Sequence, residues 1–243
     1  MPAPILTCAT WNIHRTKGAD GRHDPARVVR VLSTEPGFAG LDVLALQEAD
    51  ADCPPHNGLL DLAAVEAATG LTHAQSDPAL RWGAVSHGFL GAVVFLRPGI
   101  AVTHADVIDL PGHCHRGAVA MELALPGGPL CILTTHLSLG QPLRIVQMRI
   151  LGQYLARRAA MPSVLIGDLN EWRPWGGLAL SRLVAGRRWH GPARATFPAA
   201  RPVLPLDRIL AHGARVAAVE VLRSPAIRAA SDHLALRGQI VAG

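Results

Sequence analysis

The chain has 243 residues, 49% hydrophobic and 17% charged, with a formal net charge of +5. That composition excludes a disordered chain and supports a sizeable buried core. No apolar run approaches the roughly 20 residues that a membrane-spanning helix needs. The charge is uneven, with a net of −4 over Met1–Met121 and +9 over Glu122–Gly243. A basic half suits an anionic partner such as nucleic acid, a phospholipid headgroup or a phosphorylated metabolite, and equally a soluble surface.

Residues Met1 to Leu6 lack the basic and apolar regions of a secretory signal, so the expected compartment is the cytoplasm. In chain order, Ile5–Ile13 and Leu41–Gln47 read as strands. Between them a helix runs from about Pro25 to Leu32, with Asp24 as N-cap and Pro25 in the first position. A second helix is expected near Leu59–Thr69, ending at Gly70. Strands follow near Gly91–Arg97, Val102–Ile108, Gly117–Leu125 and Leu130–His136. The longest helix is Pro142–Ala159, with Ile145, Met148, Leu151 and Leu155 on one stripe. Ser163–Gly167 is a strand and Gly177–Val184 a short helix; Leu206–Ala211, Val216–Leu222 and Leu234–Val241 close the chain as strands. Helices early and late, with strand runs between, argue for two stacked β-sheets covered by helices, and no linker divides residues 1–243 into two domains. The cysteines Cys8, Cys53, Cys114 and Cys131 show no C-x-x-C spacing and read as buried reduced thiols. His113-Cys114-His115 places adjacent ligands without a second pair, poor geometry for structural zinc.

Six short polar clusters sit where apolar runs end: Trp11-Asn12-Ile13-His14, Gln47-Glu48, Thr135-His136-Leu137, Gly167-Asp168-Leu169-Asn170, Leu206-Asp207-Arg208 and Ser231-Asp232-His233. Singly, Glu48 is an exposed strand end, Asp168 a turn residue and His136 a satisfied core histidine. Together, acids and imidazoles recurring at strand ends point to one cleft on a rigid scaffold.

The order and wording of these clusters resemble the endonuclease/exonuclease/phosphatase superfamily of deoxyribonuclease I-like proteins. The resemblance runs from Trp11 to His233 and rests on G-D-x-N and S-D-H following an upstream Q-E. It is closest to small bacterial members found beside cardiolipin-synthase genes, through Asn12-Ile13-His14, Gly167–Arg173, Thr196-Phe197-Pro198 and Leu206-Asp207-Arg208-Ile209. It implies a four-layer α/β/β/α sandwich of two mixed β-sheets flanked by helices, and Mg²⁺- or Mn²⁺-dependent hydrolysis of a phosphate ester.

Under that resemblance Glu48 is the first metal ligand, with Asn12 and Asp232 near it. Hard oxygen donors suit Mg²⁺. Asp168 orients and deprotonates the attacking water, and Asn170 assists metal or phosphate binding. His233 contacts the scissile phosphate while Asp207 fixes its tautomer and raises its basicity. His136 is a phosphate contact or the acid for the leaving group, and Arg116 a fork on phosphate oxygens or a surface residue. Two positions depart from the pattern. Leu90-Gly91 stands where many relatives carry Gly-Asn, with His87-Gly88 either compensating or forming a turn. His14 stands where some nucleases carry an acid, which favours one metal over two.

The substrate is less legible. Nucleic acid and a phospholipid headgroup both fit, although no anchor helix for a lipid surface is visible and the chain is short for DNA-gripping insertions. Arg182, Arg187, Arg188, Arg194 and Arg201 either line a phosphate approach or form a solvated face. Trp172 and Trp175 are expected to pack beneath the loop after Asn170, the alternatives being a base or a lipid. A catalytically silent, anion- or partner-binding relative is the competing function; the retained acids and imidazoles weigh against it.

Overall fold

The computed structural model describes residues 5–112 and 116–242, so His113-Cys114-His115 lies outside the described residues. In chain order the strands are β1 (Leu6–Asn12), β2 (Val43–Gln47), β3 (Thr72–His73), β4 (Val93–Leu96), β5 (Ala101–Leu110), β6 (Arg116–Leu125), β7 (Gly128–His136), β8 (Ser163–Asp168), β9 (Asp207–His212), β10 (Ala214–Leu222) and β11 (Ala235–Ala242). They form two mixed sheets, ordered β10-β11-β1-β2-β4-β3 and β5-β6-β7-β8-β9. The helices are α1 (Pro25–Thr34), α2 (Leu62–Thr69), α3 (Gln141–Arg157), α4 (Arg182–Ala185) and α5 (Pro225–Ala230). None is long and apolar enough to cross a membrane.

Strand alternation builds the layers. Along β1, Leu6 and Cys8 point between the sheets, where they meet Val119, Met121, Ile132, Val164, Ile166 and Ile209. Ala9 and Trp11 point the other way, into a core closed by Val28, Val31 and Leu32 of α1, Val65 of α2, and Ile227 and Ala230 of α5. On the far side Leu133 and Leu165 face Met148, Leu151 and Leu155 of α3, with Val184 and Ala185 of α4. The result is the expected α/β/β/α sandwich. Strands buried on both faces explain runs such as Leu6–Asn12 and Val43–Gln47, which carry little polar alternation.

Local chemistry sets most boundaries. Asp24 caps α1, its Oδ1 accepting from Arg27 N at 2.9 Å with Pro25 in the first turn. α2 begins at Leu62, three residues later than expected, because Asp61 takes the cap and accepts from Ala64 N. α4 starts at Arg182 rather than Gly177, since Gly176 and Gly177 both have positive φ (87° and 53°) and cannot open a helix. α5 was not foreseen. Ser224 caps it and Pro225 begins it. Cys8 and Cys131 are buried and free as expected, whereas Cys53 is exposed because it sits in the turns after β2, outside every core layer.

Register brings the polar clusters together. β7 and β8 run parallel with His136 opposite Asp168, and β8 and β9 antiparallel with Asp168 opposite Asp207. Side chains paired across neighbouring strands share a face, so these three stand in a row at one end of the second sheet. In the first sheet β1 and β2 are parallel with Asn12 opposite Gln47, one residue before Glu48. Gln47 is fully buried. It accepts from Thr10 Oγ1 at 3.1 Å and reaches Thr134 Oγ1 of the other sheet at 3.4 Å, tying the sheets at this end.

Candidate active site

Asp168 is the centre of the cleft. Its Oδ2 accepts from Asn12 Nδ2 at 3.0 Å and lies 3.3 Å from His136 Nε2 and 3.7 Å from His233 Nε2; its Oδ1 accepts from Asn170 N at 3.0 Å. Asn170 takes a left-handed conformation (φ 50°) and donates from Nδ2 to the Leu137 carbonyl at 2.8 Å. Glu48 is also left-handed (φ 58°), an arrangement that costs a non-glycine residue about 1–3 kcal/mol and turns its carboxylate inward. Its Oε1 lies 3.7 Å from His136 Nδ1. Glu48, Asp168 and His233 therefore stand in one cluster, linked through His136, together with Asn12, Asn170 and Asp207.

The two imidazoles are pushed apart in charge. Burial drives His136 down to about 3; the attraction of Asp168 opposes this, and the positive Arg116, His233 and Arg15 reinforce it. His233 is penalised by burial too, yet the Asp207 carboxylate, 2.8 Å from Nδ1, overcomes the penalty. With Asp168 and Asp232 also nearby, His233 is raised to about 10. At neutral pH the site holds one neutral and one cationic imidazole, the separation of environments that assigns different proton roles to like groups. Thr196 Oγ1 donates to Asp207 Oδ2 at 2.5 Å, which fixes the carboxylate from behind. Ser231 joins β1 to this cluster: its hydroxyl donates to the Asn12 carbonyl at 2.7 Å and accepts from His233 N at 3.1 Å.

The remaining candidates stand at the rim. Asp232 is turned toward His14, with Oδ1 at 3.4 Å from Nδ1. Arg116 lines the pocket beside Glu48, its Nε buried without a hydrogen-bond partner. Gly91 lies so close to Glu48 that a Cβ would sit 3.3 Å from its Cα, and its φ of 84° is one a side chain rarely adopts. His87 does not replace the missing amide: its ring is 2.6 Å from the Leu60 carbonyl and its N–H donates to Asp50. Arg187 and Arg188 lie beside Ser163 and His212, at the opposite ends of β8 and β9 from Asp168 and Asp207, so these two arginines of the basic stretch do not converge on the cleft.

Trp172 and Trp175 are not packed beneath the loop. They are 52% and 77% exposed. The space below is taken by Arg208, buried and donating to the carbonyls of Glu171, Arg173, Pro174 and Pro205. Buried Glu171 is bracketed there by Arg144 and Arg173. This polar pillar stands under the loop after Asn170, and the indoles face outward. Three contributors were missed in the sequence: Thr196, legible there only as part of a motif; Arg208, which follows Asp207; and Arg15, whose Nη1 lies 3.0 Å from Glu48 Oε2.

The residues fit a hard divalent cation. Asp207 Oδ1 is a buried oxygen without a hydrogen-bond donor, a kind of acceptor that calls for a cation or proton, and Glu48 Oε2, also without a donor, has already drawn the Arg15 guanidinium to 3.0 Å. Asp168, Asp207 and His233 also bring ligand atoms within 4.8 Å of one another. A His233 held protonated by Asp207 is a poor ligand, which favours the Glu48 and Asn12 side of the pocket.

Residues 9–233 match the model of the Endonuclease/Exonuclease/phosphatase family. The chain belongs to that family. Escherichia coli (strain K12) YbhP, itself described as an uncharacterized protein, is 30% identical over 141 residues, a stretch covering 55% of this chain and 55% of YbhP. The chain therefore matches about half the length of that relative. The crystal structure of an endonuclease/exonuclease/phosphatase from Beutenbergia cavernae DSM 12333 is similar at TM-score 0.67 and 25% identity, covering 98% of this chain and 72% of that one. Danio rerio TDP2 complexed with single-strand DNA product is similar at TM-score 0.69 and 17% identity, covering 97% and 98%, a likeness of fold.

Proposed function

We propose that the chain acts as one domain that hydrolyses a phosphodiester with the help of Mg²⁺ or Mn²⁺, through attack of an activated water. The observation that carries this reading is the row His136, Asp168, Asp207, with His136 Nε2 and His233 Nε2 at 3.3 and 3.7 Å from Asp168 Oδ2 and His233 Nδ1 at 2.8 Å from Asp207. Glu48 is the leading metal ligand, with Asn12 and Asp232 as further oxygen donors. The cation supplies charge neutralisation on the phosphoryl oxygens and a more acidic water.

The chain's own groups supply the rest. Asp168, oriented by Asn12 and Asn170, positions the water and takes its proton. Cationic His233 directs Nε2–H at a non-bridging phosphate oxygen, with Asp207 and Thr196 holding the ring. His136, neutral, serves as a hydrogen-bonding contact to phosphate rather than as the proton donor to the leaving group. Arg116 adds a guanidinium at the pocket wall.

The phosphodiester belongs to a nucleic acid or to a phospholipid-type substrate. Compartment and natural substrate are part of the same proposal, with cytoplasmic action expected. Hydrolysis of bis(p-nitrophenyl) phosphate tests it: turnover should require Mg²⁺ or Mn²⁺ and fall by at least about 10²-fold in Asp168→Asn. Absence of metal-dependent turnover on plasmid DNA, RNA, phospholipid vesicles and this ester would favour a silent anion-binding relative. Between substrates, plasmid nicking falls steeply with salt, whereas lipid hydrolysis needs a presented interface.

A further inference from the structure

Arg15 reaches the cleft from a loop in an unusual conformation. His14, Arg15 and Thr16 have consecutive φ values of 48°, 48° and 64°. Left-handed runs of non-glycine residues are rare, and rarest for β-branched residues such as the buried Thr16. Hydrogen bonds hold the loop, among them His14 N to Asn12 Oδ1 at 3.0 Å, Thr16 N to the Ile13 carbonyl at 2.8 Å, Lys17 N to the His14 carbonyl at 2.8 Å, Asp24 N to the Thr16 carbonyl at 3.0 Å, and the His23 ring to the Arg15 carbonyl at 2.9 Å. Such strain persists only where the surroundings over-determine it. Its product here is a guanidinium placed against Glu48.

That guanidinium is shared by two acids of different character. Nη1 lies 3.0 Å from Oε2 of Glu48, a mostly buried carboxylate, while Nη2 donates at 2.8 Å to Oδ1 of Asp52, which is half exposed. Glu48 Oε2 and Arg15 Nε both lack a hydrogen-bond partner, so at Glu48 the two groups meet as charges. A buried carboxylate left without a counter-charge is costly. A guanidinium and a divalent ion drawn to the same carboxylate repel each other at contact range, whereas Asp52 offers the displaced arginine a second anchor at the rim.

We infer that Arg15 is an internal counter-cation that occupies Glu48 in the metal-free protein and is displaced toward Asp52 when a divalent cation takes that carboxylate. The inference rests on the proposed ligand role of Glu48. It makes metal affinity the outcome of a competition within the chain. A guanidinium that merely pre-positions Glu48 would have the opposite effect, because its loss would weaken metal binding.

Mn²⁺ titration by calorimetry, with no substrate present, separates these cases. Arg15→Gln should bind Mn²⁺ about tenfold more tightly than wild type. Arg116→Gln removes a cation lining the same pocket without an ion pair to Glu48 among the described residues, and should change affinity by less than about threefold. In a Glu48→Gln background, Arg15→Gln should bring no further gain. Unchanged or weaker binding in Arg15→Gln, or an equal gain in Arg116→Gln, would overturn the inference while leaving Glu48 a ligand. If wild type and Arg15→Gln, both folded by circular dichroism, bind no Mn²⁺, the metal reading itself is overturned and the inference goes with it.

Discussion

Asp207→Asn isolates the electrostatics on which the site depends. The substitution keeps the side chain's shape and removes the charge that holds His233 protonated. The imidazole is raised from 6.5 to about 10, a difference on the order of 5 kcal/mol if fully realised. Relaxation around a buried pair reduces the measured cost to about 2–4 kcal/mol. Because the folded value is raised, this stabilisation is complete below pH 6.5, where the unfolded histidine is also charged, and is lost as pH rises toward 10. Urea unfolding in EDTA should therefore show wild type more stable than Asp207→Asn by about 2–4 kcal/mol at pH 6, with the charge-dependent part below about 1 kcal/mol at pH 9.5. A gap that stays constant or widens over that range would refute the reasoning. So would an NMR titration placing the His233 imidazole below 7 in the wild type.

Arg208→Met should destabilise the fold by about 2–4 kcal/mol, because several loop carbonyls lose their donor at once; chymotrypsin should then cut near Trp172 and Trp175 faster, and unchanged cleavage would mean the pillar does not hold the loop. Trp172→Ala with Trp175→Ala should shift stability by no more than about 0.5 kcal/mol, given their exposure. The same pair should slow hydrolysis of a polymeric or vesicle substrate more than that of bis(p-nitrophenyl) phosphate. Equal losses on both substrates would remove any substrate contact from these rings.

The sandwich was legible in the sequence because its strands are long apolar runs ending in polar residues. β1, β2, β7, β8 and β9 fall within one or two residues of expectation, since burial on both faces leaves few alternative conformations for Leu6–Asn12 or Ser163–Asp168. Asp24-Pro25 marked the start of α1 for a reason purely local to the chain. α5 carried the same kind of signal in Ser224-Pro225, but six residues are too few to show helical periodicity. The convergence of Glu48, Asp168 and His233 followed from their shared position at strand ends. Partnerships were harder. Nothing in residue spacing says that Asp207 is held by Thr196, that Arg208 fills the space under Trp172, or that Arg15 rather than Arg116 meets Glu48, because each depends on register and burial between distant segments. The exposure of Trp172 and Trp175 shows the same gap: apolar residues usually pack inward, and only the position of a buried guanidinium reverses the expectation.

Anomalous diffraction from crystals soaked with Mn²⁺ and inorganic phosphate addresses the shared pocket directly. A manganese peak in contact with Glu48, and phosphate between Asp168 and His233, is the expected result. Manganese bound away from Glu48, or phosphate seated outside the row of His136, Asp168 and Asp207, would contradict a single metal-assisted cleft built from strands at both ends of the chain.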